Sequence, residues 1–532
     1  MVVPELRPWR AARPRVTRVA NAVRPRLARA TAAAKPRITR IARAAKPRVA
    51  RITRPKTWQY TAGAATAGLA LAGAVVTAAG PWDSSGQRTA ERDRAVAQER
   101  TGGADHDGSA GTSSGTAGDG PRPAPSAASV LAGLGGATNR AKAAPTGPAL
   151  AEVLGPLLKD AALGSRRTAA VVDVATGRRL YGTGADEALT PASTTKIATA
   201  VAALSALGAD HRLTTRTALE PDTNELVLVG GGDPTLTAHE DAGDRASLRT
   251  LADGTAAALK KRAISEVTLS YDTTLYAGPE LHPIGVNDNL APVSALMADE
   301  ARTDDSASGP APRVPDPAAD ASSTFAGLLK EHGIKTTSPG PSKATSRAEF
   351  LATVSSPPLS ALVERMLTNS DNDIAEALAR QTAVATGASA DFGGAGRAIG
   401  AQLKKLGLPV AGAGFKDGSG LNRDDRLTAH LLTSLLAKAG DPAHPELRPA
   451  LTGLPVAGFT GTLTSRYTDG AAGIVRAKTG TLTGVNTLAG TVVDQSGRLL
   501  AFAFLASDTT DPAAAQSALD RTATALAACG CR

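Results

Sequence analysis

The longest apolar stretch of the chain lies near its beginning, at 57–81, where no charged residue occurs. Within it, 61–80 contains only Ala, Gly, Leu, Val and Thr, and Trp58 and Trp82 flank this run. A helix of about twenty residues spans the ~30 Å hydrocarbon core of a bilayer, and tryptophan is enriched at its interfaces. The pattern predicts a transmembrane anchor at 57–81. A cleaved signal peptide is the alternative, because small residues at 77–79 suit a peptidase.

The segment that precedes this stretch, 1–56, is strongly basic. It holds 17 Lys and Arg residues and one acid, Glu5, a balance of +16. The whole chain has a net charge of +10, so the rest of the chain is mildly acidic. Prolines recur every 11 residues within basic repeats, at Pro14, Pro25, Pro36 and Pro47. Anionic lipid headgroups and nucleic acid are two partners that suit such a tail. A solvated polycation without a specific partner is the third interpretation.

Charge on the two sides of the apolar stretch predicts its orientation. Basic residues precede it, whereas 83–100 contains four basic and four acidic residues. Basic flanks stay in the cytoplasm, so we expect a single-pass cell-membrane protein with everything after Trp82 outside the cell. Residues 82–147 are rich in Gly, Ser, Ala, Thr and Pro and predict a disordered spacer. The remaining body is 148–532.

The first part of the body predicts two strands and a buried helix. Apolar residues at Ala169–Val174 predict a strand, and a turn at 175–177 leads into a second strand at 179–181. The apolar run after Lys196 predicts a buried helix that ends near Gly208.

The last part of the body predicts an antiparallel meander followed by a helix. Its strands are expected at 473–477, 485–493 and 498–506, and Asp511-Pro512 begins the final helix as N-cap and N1. Helices from both ends of the body can then cover one antiparallel sheet. The segment 209–350 is too long for a loop and predicts a smaller inserted domain.

Composition excludes several classes of protein. Hydrophobic residues make up 42% of the chain, so the body is not disordered, and two cysteines exclude a disulfide scaffold. Cys529 and Cys531 predict either a local disulfide or an unstructured end. The seven histidines have no metal-ligand spacing, and nothing local suggests a Ser-His-Asp triad. The Gly230–Gly232 run has no phosphate-loop context and predicts a turn that needs positive φ.

Ser193 and Lys196 form the first candidate for catalysis. They lie three positions apart at the start of the predicted helix, so their side chains share one face. A buried lysine can lose its proton and serve as the base for a serine nucleophile, and the helix N-terminus adds N–H groups for an oxyanion. Taken alone, the pair is better explained as a helix-capping serine and a surface lysine than as a catalytic pair.

Two further motifs change this interpretation. Ser370-Asp371-Asn372 lies between predicted helices at 359–367 and 374–386, and Lys478-Thr479-Gly480 follows the first strand of the meander. Each motif alone suits a structural role, helix capping or an edge-strand lysine. Ser-x-x-Lys, Ser-Asp-Asn and Lys-Thr-Gly in this order are the set found in β-lactamases and penicillin-binding proteins.

Over about 148–525 the chain resembles the D-alanyl-D-alanine carboxypeptidases of the low-molecular-mass, class C penicillin-binding-protein family. Leu226–Leu236 and Asp417–Leu421 resemble that family rather than β-lactamases. The resemblance implies an α+β penicillin-binding-protein/β-lactamase-like fold, an antiparallel sheet flanked by helices, with an inserted smaller domain. It implies no cofactor and no metal.

The resemblance also implies a reaction. Ser193 would attack the carbonyl between two terminal D-alanines of a peptidoglycan stem peptide and form an acyl-enzyme. Lys196 would take the serine proton, and Ser370 would relay a proton to the leaving D-alanine. β-Lactams would react with the same serine.

The expected substrate-binding residues follow from the same resemblance. Asn372 would bind the substrate amide and Thr479 the terminal carboxylate. Lys478 would act electrostatically on Ser370, and Gly480 would complete the motif. The N–H groups of Ser193 and Thr481 would form the oxyanion hole.

Three functional hypotheses remain at this point. The first is a membrane-anchored DD-carboxypeptidase, with DD-endopeptidase activity as an extension. The second is a β-lactamase or esterase on the same fold. The third is a non-catalytic protein that binds cell-wall peptide.

Overall fold

A computed structural model describes residues 144–467 and 470–531. The predicted tail (1–56), anchor (57–81) and all but the end of the spacer (82–147) lie outside these residues and stay predictions. Within the described part of the chain, no helix has both the length and the apolar character needed to cross a bilayer.

The described chain contains both helices and strands throughout its length. The helices are α1 (Gly147–Leu158), α2 (Thr195–Leu207), α3 (Leu248–Lys261), α4 (Pro317–Glu331), α5 (Leu359–Asn369), α6 (Asn372–Ala385), α7 (Phe392–Lys405), α8 (Ala429–Ala439), α9 (Pro449–Thr452) and α10 (Pro512–Ala527). The strands are β1 (Arg166–Asp173), β2 (Arg179–Thr183), β3 (Ala188–Leu189), β4 (Thr214–Leu219), β5 (Glu225–Val229), β6 (Glu266–Asp272), β7 (Lys335–Pro341), β8 (Glu349–Ser355), β9 (Leu427–Thr428), β10 (Val475–Leu482), β11 (Val485–Val493) and β12 (Leu499–Ser507).

The predicted antiparallel sheet flanked by helices is confirmed. Its five strands have the order β10-β11-β12-β1-β2, with every neighbouring pair antiparallel. β12 is buried along almost its whole length because both faces of the sheet are covered. Phe502 and Phe504 pack in the cluster that includes α1 and α10, whereas Ala501, Ala503 and Leu505 pack toward α2, α6 and α8.

Helix α2 crosses the centre of the body. Every residue from Thr195 to Leu204 is buried, and its small side chains allow α6, α7 and α8 to pack closely around it. The helix ends at Gly208, whose φ of 87° is accessible chiefly to glycine. The predicted end near Gly208 is therefore confirmed.

A second five-stranded sheet occupies the middle of the chain, with the order β7-β6-β5-β4-β8. It is mixed: β5–β6 and β6–β7 are parallel, whereas β4 pairs antiparallel with β5 and β8. Helices α3 and α4 bury their apolar residues in a core that this sheet shares with them.

The glycine run after β5 differs in part from the prediction. Only Gly232 has positive φ, at 79°. Gly230 and Gly231 instead lie where an added Cβ would collide with the backbone of Ala295 and Thr214 respectively. At the C-terminal end, Cys529 and Cys531 form a disulfide, the first of the two predicted alternatives.

Candidate active site

The turn that carries Ser193 precedes α2 directly. Residues Ala192–Thr194 form a 3₁₀ turn, and Ala192 has a left-handed φ of 49°, which costs about 1–2 kcal/mol for a residue with a Cβ. Ser193 therefore lies in the turn that precedes the helix, half-buried, rather than inside its first α-helical turn as predicted. One turn later, Lys196 Nζ donates to Ser193 Oγ at 3.2 Å.

The Ser-Asp-Asn motif is a tight junction between α5 and α6. Ser370 ends α5 in the left-handed conformation, with φ 59°, and Asp371 caps α6 by accepting from Ile374 N at 3.0 Å. Asn372, the first residue of α6, therefore faces the site. Its Oδ1 accepts from Lys196 Nζ at 2.6 Å, and its Nδ2 donates to the carbonyl of Asn289 at 2.8 Å.

The Lys-Thr-Gly motif lies inside β10, the edge strand of the first sheet, which begins at Val475 rather than at Gly473. Lys478 Nζ donates to Ser370 Oγ at 2.9 Å and to the carbonyl of Thr479 at 2.9 Å. Thr479 Oγ1 donates to Thr462 Oγ1 at 3.0 Å.

Gly480 lets this strand approach the serine turn. A Cβ at this position would lie 2.7 Å from the carbonyl of Pro191 and 3.0 Å from Ser193 N. The glycine of the motif is therefore required by close approach and not by its backbone conformation. Thr481, next along the strand, is exposed.

Both lysines are 0% exposed, which disfavours their charged forms. Burial lowers the pKa of Lys196 to about 8, against an opposing effect of Asp417, Glu376 and other carboxylates. Burial, followed by the charge of Lys196, holds the pKa of Lys478 well below its ordinary value. The structure thus brings Ser193, Lys196, Ser370, Asn372 and Lys478 into two short hydrogen-bonded groups.

A loop that carried no predicted role completes the surroundings of Lys196. The carbonyl of Ser419 accepts from Lys196 Nζ at 2.7 Å. In the sequence, this loop (Asp417–Leu421) stood out only through the family resemblance. Residue type alone cannot show that a backbone carbonyl contacts Lys196. The Asn289 carbonyl, in the middle segment of the chain, had no sequence signal at all.

His282 forms a buried pair with Asp417, Nε2 to Oδ2 at 3.0 Å. Its Nδ1 accepts from Ile284 N at 3.2 Å, so both ring nitrogens are engaged. This histidine therefore has no nitrogen left for Ser193. Burial raises the pKa of Asp417, but hydrogen bonds from His282 and Asp425 outweigh this, and the net pKa lies below its ordinary value.

Among the residues that the structure describes, two buried groups contain enough oxygen and nitrogen ligand atoms for a metal ion. They are His282, Glu376 and Asp417, and Glu300, Asp371 and Asp373. In the first group, backbone N–H groups and the histidine occupy the carboxylates. In the second, Arg302, Arg313 and Arg365 contact the acids. Asp371 Oδ2 differs from the other oxygens of these groups, since its nearest cation is Arg365 Nε at 3.8 Å and it accepts no hydrogen bond.

Comparison with known proteins identifies the family. The model of the D-Ala-D-Ala carboxypeptidase 3 (S13) family matches residues 150–312 and 304–526. Carboxypeptidase DacB of Mycolicibacterium smegmatis is 37% identical over 406 residues, which cover 73% of this chain and 85% of that protein. A D-alanyl-D-alanine carboxypeptidase of an Actinomadura species is 30% identical over 458 residues, covering 68% and 82%.

A solved structure shares the fold. The crystal structure of penicillin-binding protein 4 from Haemophilus influenzae matches with a TM-score of 0.59 at 21% identity, over 70% of this chain and 98% of that one. The chain belongs to the D-Ala-D-Ala carboxypeptidase 3 (S13) family, and the predicted family and enzyme class are confirmed.

Proposed function

We propose that this member of the S13 family removes the terminal D-alanine from peptidoglycan stem peptides through an acyl-enzyme on Ser193. The observation that carries the proposal is the 3.2 Å contact between Lys196 Nζ and Ser193 Oγ, made by a lysine whose side chain is fully buried. A lysine with a pKa near 8 is partly neutral at pH 7–8 and can accept a proton.

Acylation begins when neutral Lys196 accepts the Ser193 hydroxyl proton. Ser193 Oγ then forms a bond to the carbonyl carbon of the penultimate D-alanine. Because Asn372 Oδ1 and the Ser419 carbonyl accept the two N–H groups of the neutral amine, its lone pair is left for Ser193. The peptide oxygen becomes an oxyanion.

The oxyanion would be bound by the N–H groups of Ser193 and Thr481. The closeness of Ser193 N to the strand at Gly480 supports this assignment. A donor of this kind contributes about 3–4 kcal/mol to the transition state. The outer edge of β10 pairs with the 455–457 segment only as far as Ala477. Beyond that point it offers an extended peptide a strand to pair with, and Thr479 offers a hydroxyl for the terminal carboxylate.

Ser370 completes the step. Lys478 donates to its Oγ, which leaves the Ser370 proton free to point at the leaving nitrogen. The proton held by Lys196 passes through Ser370 to that nitrogen, the C–N bond breaks, and D-alanine departs as an amine. A water then attacks the ester, gives its proton to Lys196, and Ser193 Oγ leaves with a proton.

A soluble fragment, residues 144–532, tests the proposal. Incubated with a pentapeptide ending in D-Ala-D-Ala, it should release free D-alanine, and labelled penicillin should stay bound to it. Ser193→Ala should abolish both while circular dichroism stays unchanged. Labelling that persists in this variant contradicts the assignment of Ser193. Fast loss of the label would favour a β-lactamase, and a cross-linked muropeptide tests the endopeptidase extension.

The proposal includes a location. The uncharged stretch at 57–81 and the +16 balance before it support a single membrane span with the body outside the cell. Deleting 1–56 should then disturb orientation but not D-alanine release by the body. Normal surface exposure of the deleted protein would point instead to a cytoplasmic partner of the tail, such as anionic lipid.

A further inference from the structure

We propose that Glu376, outside all three motifs, is a positioning residue for Lys196: its carboxylate holds the 417–421 loop so that the Ser419 carbonyl faces the lysine. The inference rests on the proposed function, because it takes Lys196 as the base for Ser193. Glu376 does not touch the substrate or the reacting atoms in this scheme; it acts through the loop.

The contacts of Glu376 are specific. Its side chain is 1% exposed, one turn after Asn372 on α6. Oε1 accepts from Ser419 N at 2.8 Å and from Gly418 N at 3.0 Å, and Oε2 lies 3.1 Å from Gly418 N. Positions four apart share a helix face, so one face of α6 presents both Asn372 and the carboxylate that holds the loop.

The loop is wedged between α6 and the serine turn. A Cβ at Gly418 would lie 2.6 Å from Ala379 Cβ and 2.7 Å from the carbonyl of Ala375. Gly420 has φ 83°, and a Cβ there would collide with the Ala192 carbonyl. Thr199 Oγ1 also donates to the Gly418 carbonyl at 2.6 Å. The carboxylate therefore fixes the two peptide groups that precede the Ser419 carbonyl. The carbonyl itself lies in the next peptide group, whose Gly420 N donates to Asp417 Oδ1 at 2.7 Å.

The position of this loop determines where the lysine lone pair points, because the Ser419 carbonyl accepts from Lys196 Nζ. With two N–H groups directed to Asn372 and to the Ser419 carbonyl, neutral Lys196 can accept from Ser193. If the carbonyl turned away, an N–H of Lys196 would be free to rotate toward Ser193 Oγ, and the lone pair would miss the proton. Misplacement of this kind costs about 10²-fold in rate.

The carboxylate also acts by its charge. Asp417, Glu376, Asp371 and Asp373 face Lys196 and oppose the effect of burial on its pKa. Other charged or titratable groups contact or face these residues. Lys478 contacts Ser370, and His282 and Asp425 contact Asp417. Arg380 interacts with Glu376, and Arg313 pairs with Asp373. Burial, then Asp417, raises the pKa of Glu376 to about 6, so it is ionised at pH 7–8.

Removing this charge should lower the pKa of Lys196 further. The base form of Lys196 would then exist at lower pH, and the acidic limb of the acylation profile should move down. Glu376→Gln retains the shape of the side chain but removes the charge and offers only one acceptor oxygen. Glu376→Asp retains the charge but withdraws it from the two amides.

The test measures the second-order rate of acylation by labelled penicillin between pH 5 and 10. In the wild type we expect an acidic limb near pH 8. In E376Q the limb should move down by roughly half a unit or more and the plateau should fall about 10–100-fold. In E376D the plateau should fall while the limb stays near the wild-type position. Glu331→Gln, an exposed site on α4, is the matched control and should match the wild type.

The outcomes separate the two proposals. An E376Q profile that superimposes on the wild type overturns the role of Glu376, and so does a lower plateau without movement of the limb, which a purely structural role would give. An E376D plateau equal to the wild type overturns it as well, and remains informative if E376Q does not fold. Absence of labelling in the wild type would instead refute the proposed function.

Discussion

Lys196 and Lys478 are buried to the same extent and each donates to a serine hydroxyl, yet their surroundings differ. Lys196 Nζ donates to three acceptors: Ser193 Oγ, Asn372 Oδ1 and the Ser419 carbonyl. Lys478 Nζ donates to two, Ser370 Oγ and the Thr479 carbonyl.

The electrostatic surroundings of the two lysines also differ. Four carboxylates oppose the effect of burial at Lys196, and its pKa stays at about 8. At Lys478 the charge of Lys196 adds to the effect of burial, and its pKa falls well below the ordinary value. Equal burial thus lowers the pKa of both lysines, but carboxylates oppose the effect at Lys196 and a second cation adds to it at Lys478.

The largest effect is expected where the proton-exchanging lysine is removed. Lys196→Ala should lower the acylation rate by about 10³-fold or more, because nucleophile and base act as a unit. Stopped-flow or gel-based labelling with a fluorescent penicillin measures this rate. An acylation rate close to that of the wild type would show that another group takes the Ser193 proton.

A smaller effect is expected at the other lysine. Lys478→Ala should lower acylation about 10²-fold, since the Ser370 hydroxyl loses the donor that orients it, but the acidic limb should stay near pH 8. A charged Lys478 would depress the pKa of Lys196, so its removal would move the limb to higher pH. Movement of that kind would show that Lys478 carries a charge in the wild type.

Gly480→Ala tests the junction between the two lysine sites. The added Cβ would press on the Pro191 carbonyl and on Thr487 Oγ1, and should push β10 away from the serine turn. We expect a loss of roughly tenfold or more in acylation with a modest loss of thermal stability. Gly155→Ala is the matched control, because nothing lies within 4 Å of a Cβ at that helical glycine. Equal rates in the two variants would show that the close approach at Gly480 is not needed.

Much of this arrangement follows from local sequence patterns. The strand expected at Ala169–Val174 is β1, the meander is β10 to β12, and the junction at Ser370–Asn372 lies between two helices as expected. These features depend on residues close together in the chain, whose apolar periodicity and capping residues define each element.

The remaining features depend on contacts between distant segments. Asn289, His282 and Glu376 reach the site from positions that no local pattern marks, and two of the contacts to Asn372 and Lys196 are made by backbone carbonyls. Residue type does not determine where a carbonyl points. The left-handed conformations of Ala192 and Ser370 are equally hidden, because neither residue type favours them.

The smallest effect is expected from ionic strength, and it tests whether burial governs both lysines. Salt screens exposed charges over about 8–10 Å but acts little on buried pairs. Both lysines are 0% exposed, and the carboxylates that face Lys196 are buried as well. Raising NaCl from 50 to 500 mM should therefore move the acidic limb of wild-type acylation by less than about 0.2 pH units. A shift of half a unit or more would mean that solvent ions reach Lys196. The difference in pKa between Lys196 and Lys478 would then come from unequal exposure to solvent and not from the carboxylates around Lys196.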